Sequence, residues 1–357
     1  MTSSTQIQLA QRPTGWPDHE NFRTAVVDLP ALGEGEVRVA NDFISVDPYM
    51  RGRMNDNTGS YIPPFNVGEV MGGGAVGRVI ESRDDSLAEG TLVLHDLGWR
   101  DVAQGPAAGF RAVQELPGLP ASVYLGALGM TGLTAWVGLL EIASMKEGDT
   151  VFVSGAAGAV GTMVGQIARL KGAARVIGSA GSPEKIELLT SKYGFDTAFN
   201  YKDGDIAGQL AAAAPEGIDV YFDNVGGEHL EAALGTLKTG GRVALCGAIS
   251  QYNITEPEAG PRNMANLITK GLRLQGFTVG NYTEHLPAFA EQAGAWLAAG
   301  ELVFDETVVE GLDHAVDAFL DLMRGANTGN LGVHPMAYTI RGPRPPPRGV
   351  PGARFTR

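Results

Sequence analysis

The run Ser154-Gly155-Ala156-Ala157-Gly158-Ala159-Val160-Gly161 contains no side chain larger than valine. Such a turn presents backbone N–H groups where other turns present side chains. A phosphate can approach those groups closely, and the start of a following helix favours its charge. The flanks supply that setting. Val151, Phe152 and Val153 form an apolar, β-branched and aromatic run suited to a strand buried on both faces. Over 163–171 helical spacing returns, with Val164, Ile167, Ala168 and Leu170 apolar. Strand, small-residue turn and helix together read as a site for the pyrophosphate of a dinucleotide. The run departs from the strict Gly-x-Gly-x-x-Gly form at Ala156.

The next strand, over 175–178, bears on which dinucleotide fits. Its end reads Gly178-Ser179-Ala180-Gly181-Ser182, with no carboxylate before Glu184 and with Lys185 following. A site for NAD places an acid near this point to hold the ribose hydroxyls. Small hydroxyl residues and a cation suit the added 2′-phosphate of NADPH instead. Ser182 and Pro183 also read as N-cap and first residue of a helix. Both readings can hold together, because a helix start is itself an anion site. Three further strand ends fall at Tyr201, at Asp223-Asn224-Val225-Gly226-Gly227 and at Cys246-Gly247-Ala248-Ile249-Ser250-Gln251-Tyr252. Ligands of doubly wound sheets sit beyond the carboxyl ends of strands, so these turns belong along the cofactor. Cys246 reads as a small buried hydrophobe rather than a nucleophile.

Other chemistries have little support. Six scattered histidines and one cysteine leave no paired spacing for a zinc site, so no metal is expected. A Ser-His-Asp triad lacks its Gly-x-Ser-x-Gly elbow. Hydride chemistry performed by the cofactor remains.

The elements that must position these residues divide the chain in two. Up to about residue 123 the sequence reads as short strands between Gly, Pro and Asp signals, without helical periodicity, as at Val26-Val27, 36–39 and 77–80. Pro48 forces Asp47 into an extended or turn conformation. Tyr49 and Tyr61 are the polar aromatics of this region, and simple packing with a satisfied hydroxyl accounts for them on physics alone. A helix is expected over 124–143, with Leu133, Trp136, Val137 and Leu140 on one face. Strands and helices then alternate: strand 151–153, helix to Lys171, strand 175–178, helix 183–193, strand 197–199, helix 206–213, strand 220–222, helix 228–237, strand 242–245. Repeats of this length predict an α/β fold with a doubly wound parallel sheet. A helix over 286–298, strand-like positions at Val303, Val308 and Val309, and an amphipathic helix over 312–324 follow. The segment 341–357, rich in proline and arginine, has little to bury and is expected to be mobile.

The 357 residues suffice for two cores, and 50 aperiodic glycines suit a fold with many tight turns. A net charge of −13 argues against nucleic acid or an anionic membrane as partner. With one cysteine, no apolar leader in the first nine residues and no run of membrane-spanning length, a reducing, cytoplasmic address is the expectation.

Six segments resemble the zinc-independent medium-chain dehydrogenases/reductases: Val46-Asp47-Pro48-Tyr49-Met50-Arg51, Gly129-Met130-Thr131-Gly132-Leu133-Thr134-Ala135, Ala156-Ala157-Gly158-Ala159-Val160-Gly161, Phe199-Asn200-Tyr201-Lys202, Phe222-Asp223-Asn224-Val225-Gly226-Gly227 and Cys246-Gly247-Ala248-Ile249-Ser250. The branch they resemble holds the prostaglandin reductases, plant alkenal double-bond reductases and bacterial curcumin reductase. The resemblance runs in one order from about residue 21 to about residue 330. It implies a GroES-like catalytic domain over about 1–125, completed by about 305–340, and a Rossmann domain over about 126–304. It implies a homodimer and an NADPH-dependent reductase of the carbon–carbon double bond in α,β-unsaturated ketones and aldehydes. The cofactor positions it carries over are Gly158, Ala159, Val160, Gly161, Lys185, Tyr201, Asn224, Cys246, Gly247, Ala248, Ile249, Ser250, Gln251, Tyr252, Phe277, Thr278, Val279 and Asn327, to which the anion reading adds Ser182. One departure is Asn330, which stands after Gly325-Ala326-Asn327-Thr328-Gly329 where the family often has lysine.

Hydride transfer to the β-carbon puts negative charge on the carbonyl oxygen, which needs a hydrogen-bond donor. Tyr252 is the first candidate and Tyr49 the second, with the cofactor's ribose hydroxyl as a non-protein alternative. A phenol titrating near 10 keeps its proton at neutral pH. A quinone reductase on the same scaffold and a non-catalytic NADPH-binding protein are the rival readings.

Overall fold

The computed structural model describes residues 2–335; the Pro/Arg-rich segment 341–357 lies outside them. In chain order the strands are β1 (Ser3–Leu9), β2 (Phe22–Asp28), β3 (Glu36–Ser45), β4 (Ala75–Ser82), β5 (Leu92–His95), β6 (Val102–Pro106), β7 (Arg111–Ala112), β8 (Thr150–Val153), β9 (Arg175–Ala180), β10 (Thr197–Asn200), β11 (Ile218–Asp223), β12 (Leu237–Leu245), β13 (Arg273–Gly276), β14 (Glu306–Glu310) and β15 (Asn330–His334). The helices are α1 (Tyr49–Arg53), α2 (Met130–Trp136), α3 (Ala159–Leu170), α4 (Pro183–Ser191), α5 (Ile206–Ala213), α6 (Gly227–Thr236), α7 (Asn266–Thr269), α8 (Leu286–Ala299) and α9 (Ala315–Met323).

The middle of the chain builds a six-stranded sheet in the order β10-β9-β8-β11-β12-β13. Every neighbouring pair in it is parallel. This is the doubly wound order, with its switch point between β8 and β11. Val151, Phe152 and Val153 are fully buried, as an apolar run covered on both faces requires. Phe152 stacks between Phe199 and Tyr221 at ring-centre distances of 5.8 and 5.0 Å.

The first part of the chain builds a mostly antiparallel sheet, β14-β15-β3-β4-β5-β7 with β6 also on β3, and a separate ribbon of β1 and β2. Its last two strands come from the far end of the sequence, and β15 pairs with β3 at Ile44 and Ser45. The two sheets are therefore stitched together by the chain passing back, and the cleft between them is lined by the segments that follow the carboxyl ends of the parallel strands and by the β3–α1 turn.

Several elements differ from expectation for identifiable reasons. α3 starts at Ala159, four residues before the apolar spacing, because its first turn faces the cleft and carries no core pattern. The helix expected over 124–143 begins only at Met130 and ends in a π-turn, Val137–Ile142. The chain doubles back at Gly129, where a Cβ would lie 2.1 Å from the Tyr124 carbonyl oxygen. Val303 is not in a strand: its N–H and C=O are taken by the Gln166 side chain of α3, at 2.7 and 3.1 Å. The expected helix over 312–324 opens as a 3-10 turn, Leu312–His314, before α9. α1 is a helical turn in a region that showed no helical spacing, nucleated by Pro48 at its N-cap.

Candidate functional site

A cleft of about 1730 Å³ runs between the two sheets. On the parallel-sheet side its floor is the small-residue turn after β8. Gly155 there adopts φ +58°, and a Cβ at Gly161 would lie 2.4 Å from the Gly155 carbonyl oxygen. The turn is thus closed too tightly for a side chain at 155 or 161, and Gly158 at the N-cap of α3 has none to offer its amides. A helix start without an internal cap leaves N–H groups for an anion.

The turn after β11 holds this floor in place. Asp223 is buried, and its Oδ1 accepts hydrogen bonds from Tyr221 Oη (2.7 Å), Val225 N (2.9 Å) and Gly226 N (2.7 Å). Ser154 Oγ donates to the same carboxyl at 3.2 Å and accepts from Asn224 N at 3.0 Å. Asn224 Nδ2 donates to the Ser154 carbonyl at 2.8 Å, so two turns from different strands move as one. Burial raises the Asp223 carboxyl above its ordinary range, against these four donors.

At the end of β9, Ser182 caps α4 with Pro183 at its first position, its hydroxyl accepting from Lys185 N at 3.4 Å. Lys185 Nζ donates to the Gly325 carbonyl at 2.7 Å. A Cβ at Gly181 would lie 2.9 Å from Tyr201 Oη and 3.1 Å from Lys202 Cε, which shows how closely these side chains gather there. Burial, then the nearby Lys202 charge, lowers Lys185 from the usual ammonium value. Two cations therefore stand close together at this end of the cleft. Sequence reasoning proposed only Lys185; the signal for Lys202 was its place directly after Tyr201. His229 also lines this cleft, edge-on to Tyr201 at 5.3 Å, its Nε2 buried without a partner among the described residues and its imidazole pushed down to about 4 by burial.

Of the expected cofactor positions, Gly158, Ala159, Val160, Gly161, Lys185, Tyr201, Asn224, Cys246, Gly247, Ile249, Ser250, Tyr252, Phe277, Thr278, Val279 and Asn327 line the cleft, whereas Ser182, Ala248 and Gln251 do not. Burial pushes the Cys246 thiol up to about 12, which keeps it protonated. The opposite wall comes from the first part of the chain: Trp16, Asp47, Tyr49, Arg53 and Tyr61, joined by Met130 and Thr134 of α2. Both candidate tyrosines thus line the same cleft, Tyr49 from the first part of the chain and Tyr252 from the loop after β12. The Tyr252 hydroxyl accepts from Ala248 N–H at 3.4 Å, and burial raises its phenol above the usual value. Burial raises Tyr49 as well, with the Asp47 charge second.

Comparison with known proteins gives the relation. Family profiles described as the N-terminal domain of oxidoreductase and as zinc-binding dehydrogenase match residues 5–113 and 159–295. The chain is 42% identical to the NADPH-dependent curcumin reductase of Escherichia coli (strain K12), over 90% of this chain and 94% of that one. It is 42% identical to the 2-alkenal reductase (NADP(+)-dependent) of Nicotiana tabacum, over 92% and 96%. It belongs to the medium-chain dehydrogenases/reductases, in the branch of the curcumin and alkenal reductases. The crystal structure of CurA from Vibrio vulnificus in complex with NADPH superposes with a TM-score of 0.87 at 42% identity, covering 94% of this chain and all of that one. The metal in the second profile's description finds no counterpart in the donor set: among the described residues no three His, Cys, Asp or Glu side chains gather in a way that could hold an ion.

Two expected results arise from this geometry. Lys185→Ala should weaken NADPH by roughly ten- to a hundredfold, the value of one charge-assisted hydrogen bond, and leave NADH nearly unchanged. High salt should narrow the wild-type preference. Fluorescence titration of both cofactors decides it; equal weakening would make the bond to Gly325 the residue's whole purpose. The second concerns Asp47, which is 5% exposed and accepts from Ser45 Oγ at 2.7 Å. Burial pushes its carboxyl up to about 6. A raised carboxyl favours the fold below the unfolded value near 4 and loses that contribution as pH rises through about 6. Asp47→Asn should flatten this part of the stability curve and gain up to about 3 kcal/mol over wild type at pH 8. Urea midpoints at pH 4.5 and pH 8 measure it, and an unaltered pH dependence would contradict it.

Proposed function

We propose that this chain reduces the carbon–carbon double bond of α,β-unsaturated ketones and aldehydes with NADPH. The observation that carries the reading is one cleft combining an uncapped helix start, a pair of cations at the end of the second strand, and two protonated tyrosines contributed by different parts of the chain. Full-length relatives named as NADPH-dependent reductases of such compounds support it.

The chemistry of the lining residues suits the cofactor. The first turn of α3 would take the pyrophosphate, Lys185 and Lys202 the 2′-phosphate, and Tyr201 the adenosine end. Asn224, Cys246, Phe277, Thr278 and Val279 would wall the nicotinamide end. Bound there, the reduced nicotinamide supplies a hydride to the β-carbon of the acceptor. The protein's part is to hold the acceptor and to donate a hydrogen bond to the carbonyl oxygen as charge develops on it. Tyr252 serves first in this role and Tyr49 second. A proton delivered to the α-carbon completes the saturated product.

The finer features belong to the same proposal. The enzyme works without zinc, a reading supported by the absence of any convergent set of three donor groups among the described residues. It acts as a homodimer: β13 is an open edge of the parallel sheet, and Ile268 of α7 beside it is 86% exposed. Its place is the cytoplasm, consistent with an unpaired Cys246; no helix among the described residues is long and apolar enough to cross a membrane. Product analysis after turnover of an enone with NADPH tests the reading, a saturated carbonyl compound being the expected product.

A further inference from the structure

Arg51 is 2% exposed and has no carboxylate partner among the described residues. Three neutral oxygens solvate its guanidinium instead. Nε donates to Asn253 Oδ1 at 2.9 Å, Nη1 to Asn55 Oδ1 at 2.7 Å and Nη2 to the Gly15 carbonyl at 2.6 Å. These acceptors belong to three separate segments. Asn55 follows α1, whose first residue is Tyr49. Gly15 precedes Trp16, and Asn253 follows Tyr252 in the loop after β12 on the opposite wall. Trp16, Tyr49 and Tyr252 all line the cleft. The Gly15 and Asn253 segments also pack directly: a Cβ on Gly15 would stand 3.1 Å from Thr255 Cγ2 and 3.5 Å from the Asn253 carbonyl oxygen.

We infer that Arg51 is a positioning residue for the reaction: its planar fork fixes the Tyr252 loop of one domain against α1 and the Trp16 loop of the other, and so sets the distance across which the two tyrosines meet an acceptor. Arginine suits this role because its donors point in three fixed in-plane directions, which a lysine ammonium on a flexible stem does not reproduce. The contact with Asn253 is the only one of the three that crosses from the first part of the chain to the parallel-sheet domain. Losing it would free the Tyr252 loop while the other two bonds still hold the cation. Misplacement of a catalytic group by about 1 Å can cost on the order of a hundredfold in rate.

The inference rests on the reading of Tyr252 as a donor to the acceptor carbonyl. Removing Arg51 itself would strip a buried site of its centre and risk unfolding, so the test alters its partner. Asn253→Ala, in the full chain with an enone and NADPH, should lower kcat about tenfold while the Kd for NADPH stays within about twofold. Asn253→Asp, which keeps the acceptor oxygen, should restore most of the rate. In a Tyr252→Phe background Asn253→Ala should cost nothing further, because it acts through that tyrosine. A wild-type kcat in Asn253→Ala, or an undiminished tenfold loss in the Tyr252→Phe background, would overturn the inference. Failure of the wild type to reduce any enone would instead strike at the functional reading beneath it, so the two failures are told apart.

Discussion

Valine at position 158 is expected to abolish NADPH binding in a protein that still folds. Gly158 has φ −81° and ψ 174°, extended backbone that any residue adopts. A Cβ there would lie 3.3 Å from the Gly155 carbonyl oxygen, tight but open to a small adjustment. The added methyl groups would occupy the cleft floor, where the amides of the first turn of α3 must reach a pyrophosphate. Each charge-assisted hydrogen bond lost is worth about 1.5–3 kcal/mol, so losing two weakens binding by roughly a hundredfold or more. Gly161 is the useful contrast. A Cβ there would meet the Gly155 carbonyl oxygen at 2.4 Å and Ala156 Cα at 2.7 Å, so valine at 161 should damage the fold itself. Thermal unfolding alongside NADPH titration separates the two effects. An unchanged Kd in Gly158→Val would remove the assignment of this turn to the cofactor.

Loss of the Tyr252 hydroxyl should be the most costly change to turnover. Its oxygen accepts the Ala248 N–H, which leaves the O–H proton free to donate towards an acceptor. Burial raises the phenol, so that proton is retained through neutral and mildly alkaline pH. Tyr252→Phe removes the donor and little else, and one such donor commonly contributes on the order of 10²–10³ in rate. The expected result is a kcat lower by about that factor with NADPH affinity nearly unchanged. A smaller loss follows if the cofactor's ribose hydroxyl shares the task. Full activity in Tyr252→Phe together with a large loss in Tyr49→Phe would transfer the role to Tyr49, whose hydroxyl lies beside Arg53.

What could be read from the sequence follows from how local each signal is. The central strands announce themselves because both faces are buried, as at Val151 to Val153, and Ser182-Pro183 announces α4 because a cap and a first-turn proline act within one turn. The first turn of α3 is silent in periodicity, since residues that line a cleft have no apolar face to repeat. The pairing of β15 with β3 spans most of the chain and has no local trace. The same holds for the site. The fingerprint turn and Lys185 are legible by type and spacing, and the motif around Tyr49 by resemblance. The partnership of Arg51 with Asn253 joins residues two hundred positions apart, and only the fold brings them together. Lys202 was visible as a charge, but its value depends on standing beside Gly181.

The proposed reaction reduces the carbon–carbon double bond of an enone with NADPH and spares its carbonyl group. The most direct measurement follows NADPH absorbance with a simple enone and identifies the product, with NADH and a quinone assayed in parallel. The expected result is one NADPH consumed per saturated ketone or aldehyde formed, with slower consumption of NADH and of NADPH with the quinone. An allylic alcohol as product, or turnover of the quinone alone, would contradict it.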